Sequence, residues 1–430
     1  MIRDLKSVAR GWSMADLYLV FIAVAIPWQA EHVIRKGISP FNFVNGFIVV
    51  ALLAWFMFRG PKPKWPLTVP LYIYLLGSVI GMLNSSVLLY NSYTLGQDLY
   101  LYVWFVLLCM LLSTERRVTI LILAWIAILL VVLSTEGFWI AGGESRLEFT
   151  FRNPNRASAW LALTLFLVLH PVVPWALKAV LAFLVYQAVA GTGSAAGSIG
   201  VVLGAFAFAW GLVYVRSPRI MRPFLSAAVV VIGLLVALIN PLANESLPAV
   251  LGEVAPAAAP RIERSAGTRQ VIWSKGLDSF KEHPMGIGPA SFAGQVNTGL
   301  GSDGMIELHS DFVATLVERG VIGFVGYLLI LLSVVIQVFR NLNLASLTTD
   351  RRDGVWAAAL AGACTVYLFY SATHEAMHHD TFWLLLALIF SQTGILNKKI
   401  DALSSAREAV SYDTSMRPSL VVHRRTKAIV

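Results

Sequence analysis

Apolar runs recur along this chain at a length matched to the hydrocarbon thickness of a bilayer. Crossing a core of about 30 Å takes roughly 17–25 residues of helix, and such runs fall at 14–31, 42–58, 67–84, 97–113, 117–134, 156–170, 172–190, 195–215, 221–241, 310–339, 355–373 and 380–396. In lipid every backbone N–H and C=O must be satisfied within the protein, so only helices and closed barrels span. Continuous apolar runs of this length select helices over alternating strands. The expected fold is therefore an all-α polytopic membrane protein of about twelve transmembrane helices. Composition agrees, because 57% of residues are hydrophobic and 13% charged, where soluble proteins carry about a quarter charged. Pro171 and Pro174 make the helix pair around 156–190 the least regular part of this plan. The first run lacks a small-residue cleavage site and is read as a span, not as a removable signal peptide.

Lys and Arg in short loops stay on the cytoplasmic side, and here they alternate. Basic loops are the N-terminus (Arg3, Lys6, Arg10), then Arg59, Lys62 and Lys64, Arg116 and Arg117, Lys178, Arg216, Arg219 and Arg222, Arg340, Arg351 and Arg352, and the tail from Lys398 to Lys427. This pattern places both termini in the cytoplasm and accounts for most of the net charge of +9, so no nucleic-acid partner is needed to explain it. The expected organisation is helices one to nine over 1–241, one large outer loop with short helices over 242–308, helices ten to twelve over 309–396, and a basic cytoplasmic tail over 397–430 that meets solvent or membrane lipids. Cys109 and Cys364 both fall within spans and form neither a disulfide pattern nor a metal motif.

The informative basic residues are those left outside: Arg35 and Lys36, then Arg146, Arg152 and Arg156, then Arg261, Arg264, Arg269, Lys275 and Lys281. Guanidinium forks hold phosphate and pyrophosphate bidentately. Long loops also translocate regardless of charge, so water or lipid headgroups would suit the same side chains. Asn153-Pro154 reads as a turn and Asn155 as the cap of the helix that follows, an anion-binding arrangement beside two arginines. In the large loop, 243–260 reads as an Ala/Pro-rich spacer, and 267–280 as an amphipathic helix with Ile272, Trp273, Gly276 and Phe280 on one side. Pro284 stops that helix, and Gly286 and Gly288 permit a tight turn. His309 stands where the loop enters the tenth apolar run, a place for an imidazole that exchanges protons beside the membrane. Below it, Glu318 and Arg319 need partners or a wet cavity at their depth, an internal ion pair being the simplest arrangement. Gly320, Gly323 and Gly326 recur once per turn and allow a neighbouring helix to approach closely.

In order along the chain, Arg269-x-x-x-Trp273, His283-Pro284-x-Gly286-x-Gly288-Pro289-x-Ser291-Phe292, and His309-Ser310 followed by Glu318-x-Gly320-x-x-Gly323 resemble the bacterial O-antigen ligase and O-antigen polymerase superfamily. The likeness is strongest over 265–335, with weaker echoes at 146–160 and 191–197. It implies an inverting, metal-independent, cofactor-free glycosyltransferase on the periplasmic face of the bacterial inner membrane. The ligase form would move O-antigen glycan from undecaprenyl pyrophosphate to lipid A-core oligosaccharide, in lipopolysaccharide maturation. The polymerase form would use the same donor and add it to another lipid-linked repeat. Chain size, span count and the late position of the large loop favour the ligase. On this resemblance His309 and Arg269 are the catalytic pair, with Arg35, Arg146, Arg152, Arg156, Arg261, Arg264 and Glu318 as substrate contacts. One departure stands out: relatives carry Ser-Arg at an outer turn where this chain has Ser194-Ala195.

Two other readings compete. His374-Glu375-Ala376-Met377-His378 fits H-E-x-x-H, whose imidazoles bind zinc on one helix face with Glu as base, as in an intramembrane zinc protease, but in a tight outer turn it reads first as a polar cluster near His309. Twelve spans with outer arginines would also suit an anion transporter, although no repeat between 1–215 and 216–430 supports related halves.

Overall fold

The computed structural model describes residues 11–28, 40–60, 62–136, 147–151, 153–223, 259–298, 307–348 and 350–416. Among these residues there are helices and turns and no strand. The helices are α1 (Met14–Trp28), α2 (Pro40–Phe58), α3 (Thr68–Met82), α4 (Leu88–Leu111), α5 (Glu115–Glu136), α6 (Pro154–Leu167), α7 (Trp175–Gly191), α8 (Ala195–Arg216), α9 (Ala259–Glu282), α10 (Phe292–Gln295), α11 (Asp311–Ala345), α12 (Arg351–Thr373) and α13 (Asp380–Met416). Five of them, α4, α5, α8, α11 and α12, are long and apolar enough to cross a membrane, and α1, α2, α3 and α7 are shorter apolar helices. The expected run at 221–241 lies almost entirely outside the described residues, as do most of the spacer at 243–260 and the last residues of the tail.

Helix ends differ from the apolar runs where polar residues belong to the helix. α4 starts at Leu88, well before the run at 97–113, because Asn91 and Thr94 are buried against protein and not exposed to lipid. α13 continues to Met416, past the end of its apolar run at 396. The break between α6 and α7 falls at 168–174, where Pro174 precedes the first residue of α7. The cap of α6 is Asn153 and not Asn155: its side chain accepts from the N–H of Asn155 at 2.9 Å and of Arg156 at 3.3 Å. Pro154 explains the shift, since its fixed φ and missing N–H suit the first helical position and put the cap one residue before it.

Two backbone-to-backbone contacts hold the bundle. Gly77 of α3 faces Gly323 of α11 so closely that a Cβ on Gly77 would lie 2.2 Å from the Gly323 nitrogen. One turn on, a Cβ on Gly326 would lie 2.3 Å from the nitrogen of Tyr74. On the other side, Gly204 of α8 approaches the Gly362 carbonyl of α12, where an added Cβ would come within 2.8 Å. Small residues permit this dispersion-driven packing where lipid offers no hydrophobic drive. Gly323 and Gly326 therefore behave as the sequence suggests, whereas Gly320 has a different task described below.

Polar contacts sort the connections into two ends. At one end, Arg116 meets Asp16 at 2.8 Å, Lys399 meets Asp353 at 2.6 Å and also Glu115, and Tyr214 bonds Asn343 at 3.1 Å. These are the short loops rich in Lys and Arg. At the other end, Asn84 bonds the Gly286 carbonyl at 3.0 Å, Thr150 the Pro27 carbonyl at 2.5 Å, and the Asp311 N–H the His374 carbonyl at 3.2 Å. That second end carries the site.

Candidate functional site at the broken helix

α11 is two helices joined at Gly320, whose backbone (φ 67°, ψ −171°) no helix contains. The break frees carbonyls that would otherwise bond within the helix. A turn from the large loop takes them: the Ile287 N–H donates to the Val317 carbonyl at 3.2 Å and the Gly288 N–H to the Glu318 carbonyl at 2.8 Å. The Val321 N–H in turn donates to the Pro284 carbonyl at 3.1 Å. Gly286 and Gly288 both have φ near +100°, at 93° and 100°, a conformation that side-chain-bearing residues rarely adopt. The His-Pro-x-Gly-x-Gly turn is thus wedged into the helix break.

Glu318 and Arg319 do not pair with each other as their only partners. The Glu318 carboxylate accepts from the N–H of Ala290 at 2.7 Å and of Phe292 at 3.2 Å, which holds the far end of the wedge. Arg319 turns the other way: its Nη2 lies 2.9 Å from Asp98 of α4, its guanidinium sits over the Tyr74 ring at 4.3 Å from the centroid, and it donates to the Ser78 hydroxyl. A buried guanidinium needs such company, because an isolated one is very costly in an apolar interior. Asn91 completes the wedge by donating to the Pro289 carbonyl at 2.6 Å and the Ser291 hydroxyl at 2.7 Å.

His309 lies just before the N-cap of the broken helix. Ser310 caps α11 through the Val313 N–H at 3.4 Å, and the Asp311 carboxylate accepts from the N–H of Ala376 at 2.8 Å and of Met377 at 3.2 Å. On the opposite side the Trp273 indole donates to the Leu308 carbonyl at 2.8 Å. These bonds fix the backbone on both sides of His309, which is held at φ 50°, a strained value for a residue with a side chain. Burial pushes its imidazole below the usual histidine value; Glu307 opposes this and Arg269 reinforces it.

Arg269 comes from α9, which is longer than the expected 267–280 and lies on the wedge by the expected face. Ile272 and Gly276 are buried, Trp273 and Phe280 partly so, against Ile287, Phe292, Leu308 and Val317. Arg269 is half-buried and lies within electrostatic reach of the Tyr370 hydroxyl, as does Arg156 from the first turn of α6. Arg269 and Arg156, two of the seven arginines singled out in the sequence, thus both act electrostatically on Tyr370. Arg35, Arg146 and Arg152 lie outside the described residues, and Arg261 and Arg264 lie on α9 with side chains outside them.

Between these elements is a cavity of about 920 Å³, lined among others by Tyr90, Arg156, Glu307, Glu318, Glu375 and His378. His309 and Arg269 are not on its wall; Glu307, whose charge acts on His309, is. The His374-to-His378 segment is a turn and not a helix, so its imidazoles do not share the helix face that an i, i+4 zinc pair requires. His374 stacks on Tyr370 with ring centroids 4.5 Å apart. His378 Nε2 instead lies 3.3 Å from Asp98 Oδ1. Among the described residues no group of three His, Cys, Asp or Glu side chains is arranged to hold a metal ion. Burial alone would lower His378, but the hydrogen bond and charge of Asp98 more than reverse this and hold it at about 9. Burial raises Glu375 to about 8, with Glu307 and Glu318 adding to it. Burial and the positive charge of Arg156 and His378 keep His379 well below the usual value.

A linear stretch carries much of this geometry: α9, the wedge, His309 and the first half of α11. Residues 179–328 match the family model described as O-antigen ligase. The match is consistent with the O-antigen ligase and polymerase superfamily, as the motifs at Arg269, 283–292 and His309 imply. It takes in Arg269, Trp273, His309, Glu318 and Gly320, and leaves Asp98, Arg156 and the turn at 374–379 outside. No curated protein matches the chain significantly. Ala195, the departure from the O-antigen ligase pattern, is exposed at the first residue of α8, just after the capping Ser194.

The sequence reading missed Asp98, Asn91, Ser78 and Tyr74. Asp98 had a usable signal, since an acid inside an otherwise apolar span is costly unless it serves a partner.

Proposed function

We propose that this protein transfers a glycan from an undecaprenyl-pyrophosphate carrier to a sugar hydroxyl at the periplasmic face of the bacterial inner membrane. The observation that carries the reading is the placement of His309 and Arg269, in the stretch matched by the O-antigen ligase family, within reach of Glu307, which lines a cavity also bounded by Arg156. The cavity end opposes the end that gathers the basic loops, and the positive-inside rule assigns that basic end to the cytoplasm. Both termini are then cytoplasmic.

In this mechanism His309 is neutral, consistent with its lowered proton affinity, and accepts the proton of the attacking hydroxyl. The hydroxyl oxygen bonds to the anomeric carbon as the bond from that carbon to the phosphate oxygen breaks. Pyrophosphate leaves with the electron pair, its charge held by Arg269 and Arg156. A single displacement inverts the anomeric centre. Of the acceptors, lipid A-core oligosaccharide is the one we favour, which makes the protein a ligase; a second lipid-linked repeat would make it a polymerase.

Reconstitution in proteoliposomes with lipid-linked glycan and each acceptor in turn tests this directly. Product on the core oligosaccharide supports the ligase, and elongated lipid-linked glycan replaces it with the polymerase. His309→Ala is expected to fold and to lose transfer. Normal transfer by that variant removes His309 as the base.

A further inference from the structure

The turn at 374–379 and the acid of α4 form a second polar constellation that the transfer mechanism leaves unused. Asp98 is 2% exposed, and its two oxygens are committed to different cations: Oδ2 lies 2.9 Å from Arg319 and Oδ1 lies 3.3 Å from His378 Nε2. Because Arg319 is itself fixed by Ser78 and Tyr74, this carboxylate is an immobile anchor for the imidazole. The anchored ring leaves its second nitrogen, Nδ1, facing Glu375 at 4.0 Å. That separation is too long for a direct hydrogen bond. Both side chains are about a quarter exposed, at 25% and 23%, and both line the cavity.

We propose that His378 Nδ1 and the Glu375 carboxyl together form a subsite for adjacent hydroxyls of a pyranose ring. One sugar oxygen accepts from His378 while its neighbour exchanges a hydrogen bond with Glu375, each group contacting a different hydroxyl across the gap between them. Hydroxyls both donate and accept, and a carboxyl with raised proton affinity does the same. Phosphate fits this corner less well, because the negative charge of Glu307 and Glu318, which acts on Glu375, also opposes an anion there. The aromatic surface that sugar rings need is present: Tyr90 and Tyr93 are 38% and 46% exposed and line the same cavity. The Tyr90 hydroxyl is within electrostatic reach of Glu307, Glu318 and Glu375. On this reading Arg156 serves the pyrophosphate, and Glu375 with His378 serves the sugar. The division rests on the transferase reading; the subsite itself does not.

The test is calorimetric titration of the full chain in detergent with three probes: delipidated core oligosaccharide, the lipid-free O-antigen repeat, and inorganic pyrophosphate. Glu375→Leu removes both the donor and the acceptor at similar length, and His378→Gln keeps a donor for Asp98 while removing the second ring nitrogen. Each is expected to weaken binding of one of the two oligosaccharides by about tenfold, the upper scale of one ordinary hydrogen bond, and to leave pyrophosphate binding unchanged. The oligosaccharide affected identifies whether acceptor or donor sugar occupies the subsite. Unchanged saccharide binding in both variants, an equal loss for pyrophosphate, or no saccharide binding by the wild-type chain overturns the proposal. A chain that binds saccharide through these residues yet transfers nothing in proteoliposomes would instead sink the transferase reading and leave the subsite standing.

Discussion

Replacing Gly320 with alanine should disable the site without touching any substrate. An added Cβ would lie 2.3 Å from the backbone carbon of Met285, where ordinary carbon contacts are about 3.5 Å or more. The wedge must therefore retreat by on the order of 1 Å, since backbone on both sides leaves no flexible side chain to yield. That retreat stretches three hydrogen bonds, from Ile287 and Gly288 into the break and from Val321 to Pro284, at about 0.5–1.5 kcal/mol each. Holding alanine at φ 67° adds on the order of 1–3 kcal/mol. The sum is several kcal/mol against the closed wedge, and a displacement of that size beside a reacting group costs about a hundredfold in rate. Hydrogen exchange of the amides of 287, 288 and 321, measured with transfer in proteoliposomes, reads both effects. Gly394→Ala, whose Cβ meets nothing within 4 Å, is the control. Native exchange protection and native transfer in Gly320→Ala would refute the account of the wedge.

Arg269→Ala should raise the KM for the lipid-pyrophosphate donor by tenfold or more, and Arg269→Lys should recover part of the loss, since charge survives but the bidentate fork does not; steady-state kinetics with varied donor checks this. On the acid side, kcat/KM should fall as pH drops through an apparent pKa below the ordinary histidine value of 6.5, because burial and Arg269 both disfavour protonation of His309. In Arg269→Gln that limb should move to higher pH, and a pH profile that stays in place would separate Arg269 from His309. Ala195→Arg should increase transfer, because the position is exposed at a helix start with room for a longer side chain; an unchanged or lower rate shows that the missing arginine is not a defect.

The apolar runs made most of the helices legible, because lipid enforces one rule on every span. Their ends were less legible where polar residues belong to the interior: Asn91 lies in the part of α4 ahead of the apolar run because it faces protein partners, which hydropathy does not register. Pro154 moved the α6 cap by a rule of backbone geometry that the sequence contains but composition does not weigh. Within the site, the Arg269 helix, the Gly-rich turn and His309 were readable because they are close in sequence. For Glu318 and Arg319 the sequence left an internal pair and a wet cavity both open, because their partners come from residues 290–292 and from Asp98, far away along the chain. His378 looked like half of a zinc motif because local spacing carries no information about the turn that separates it from a helix. Gly320 looked like its neighbours Gly323 and Gly326, and only its backbone angles distinguish a joint from a packing surface.

The backbone contact between α3 and α11 also orders the making of the protein. Gly77 and Gly323, which touch through their main chains, are synthesised far apart in time, with α4 to α10 emerging between them. α3 must therefore wait with one face unfilled until α11 arrives, and the docking of α11 brings the wedge, the Asp98 anchor and His309 together in one late event. A chain interrupted before residue 311 would carry Arg156, Arg269 and His309 but not the helix that assembles them into a site.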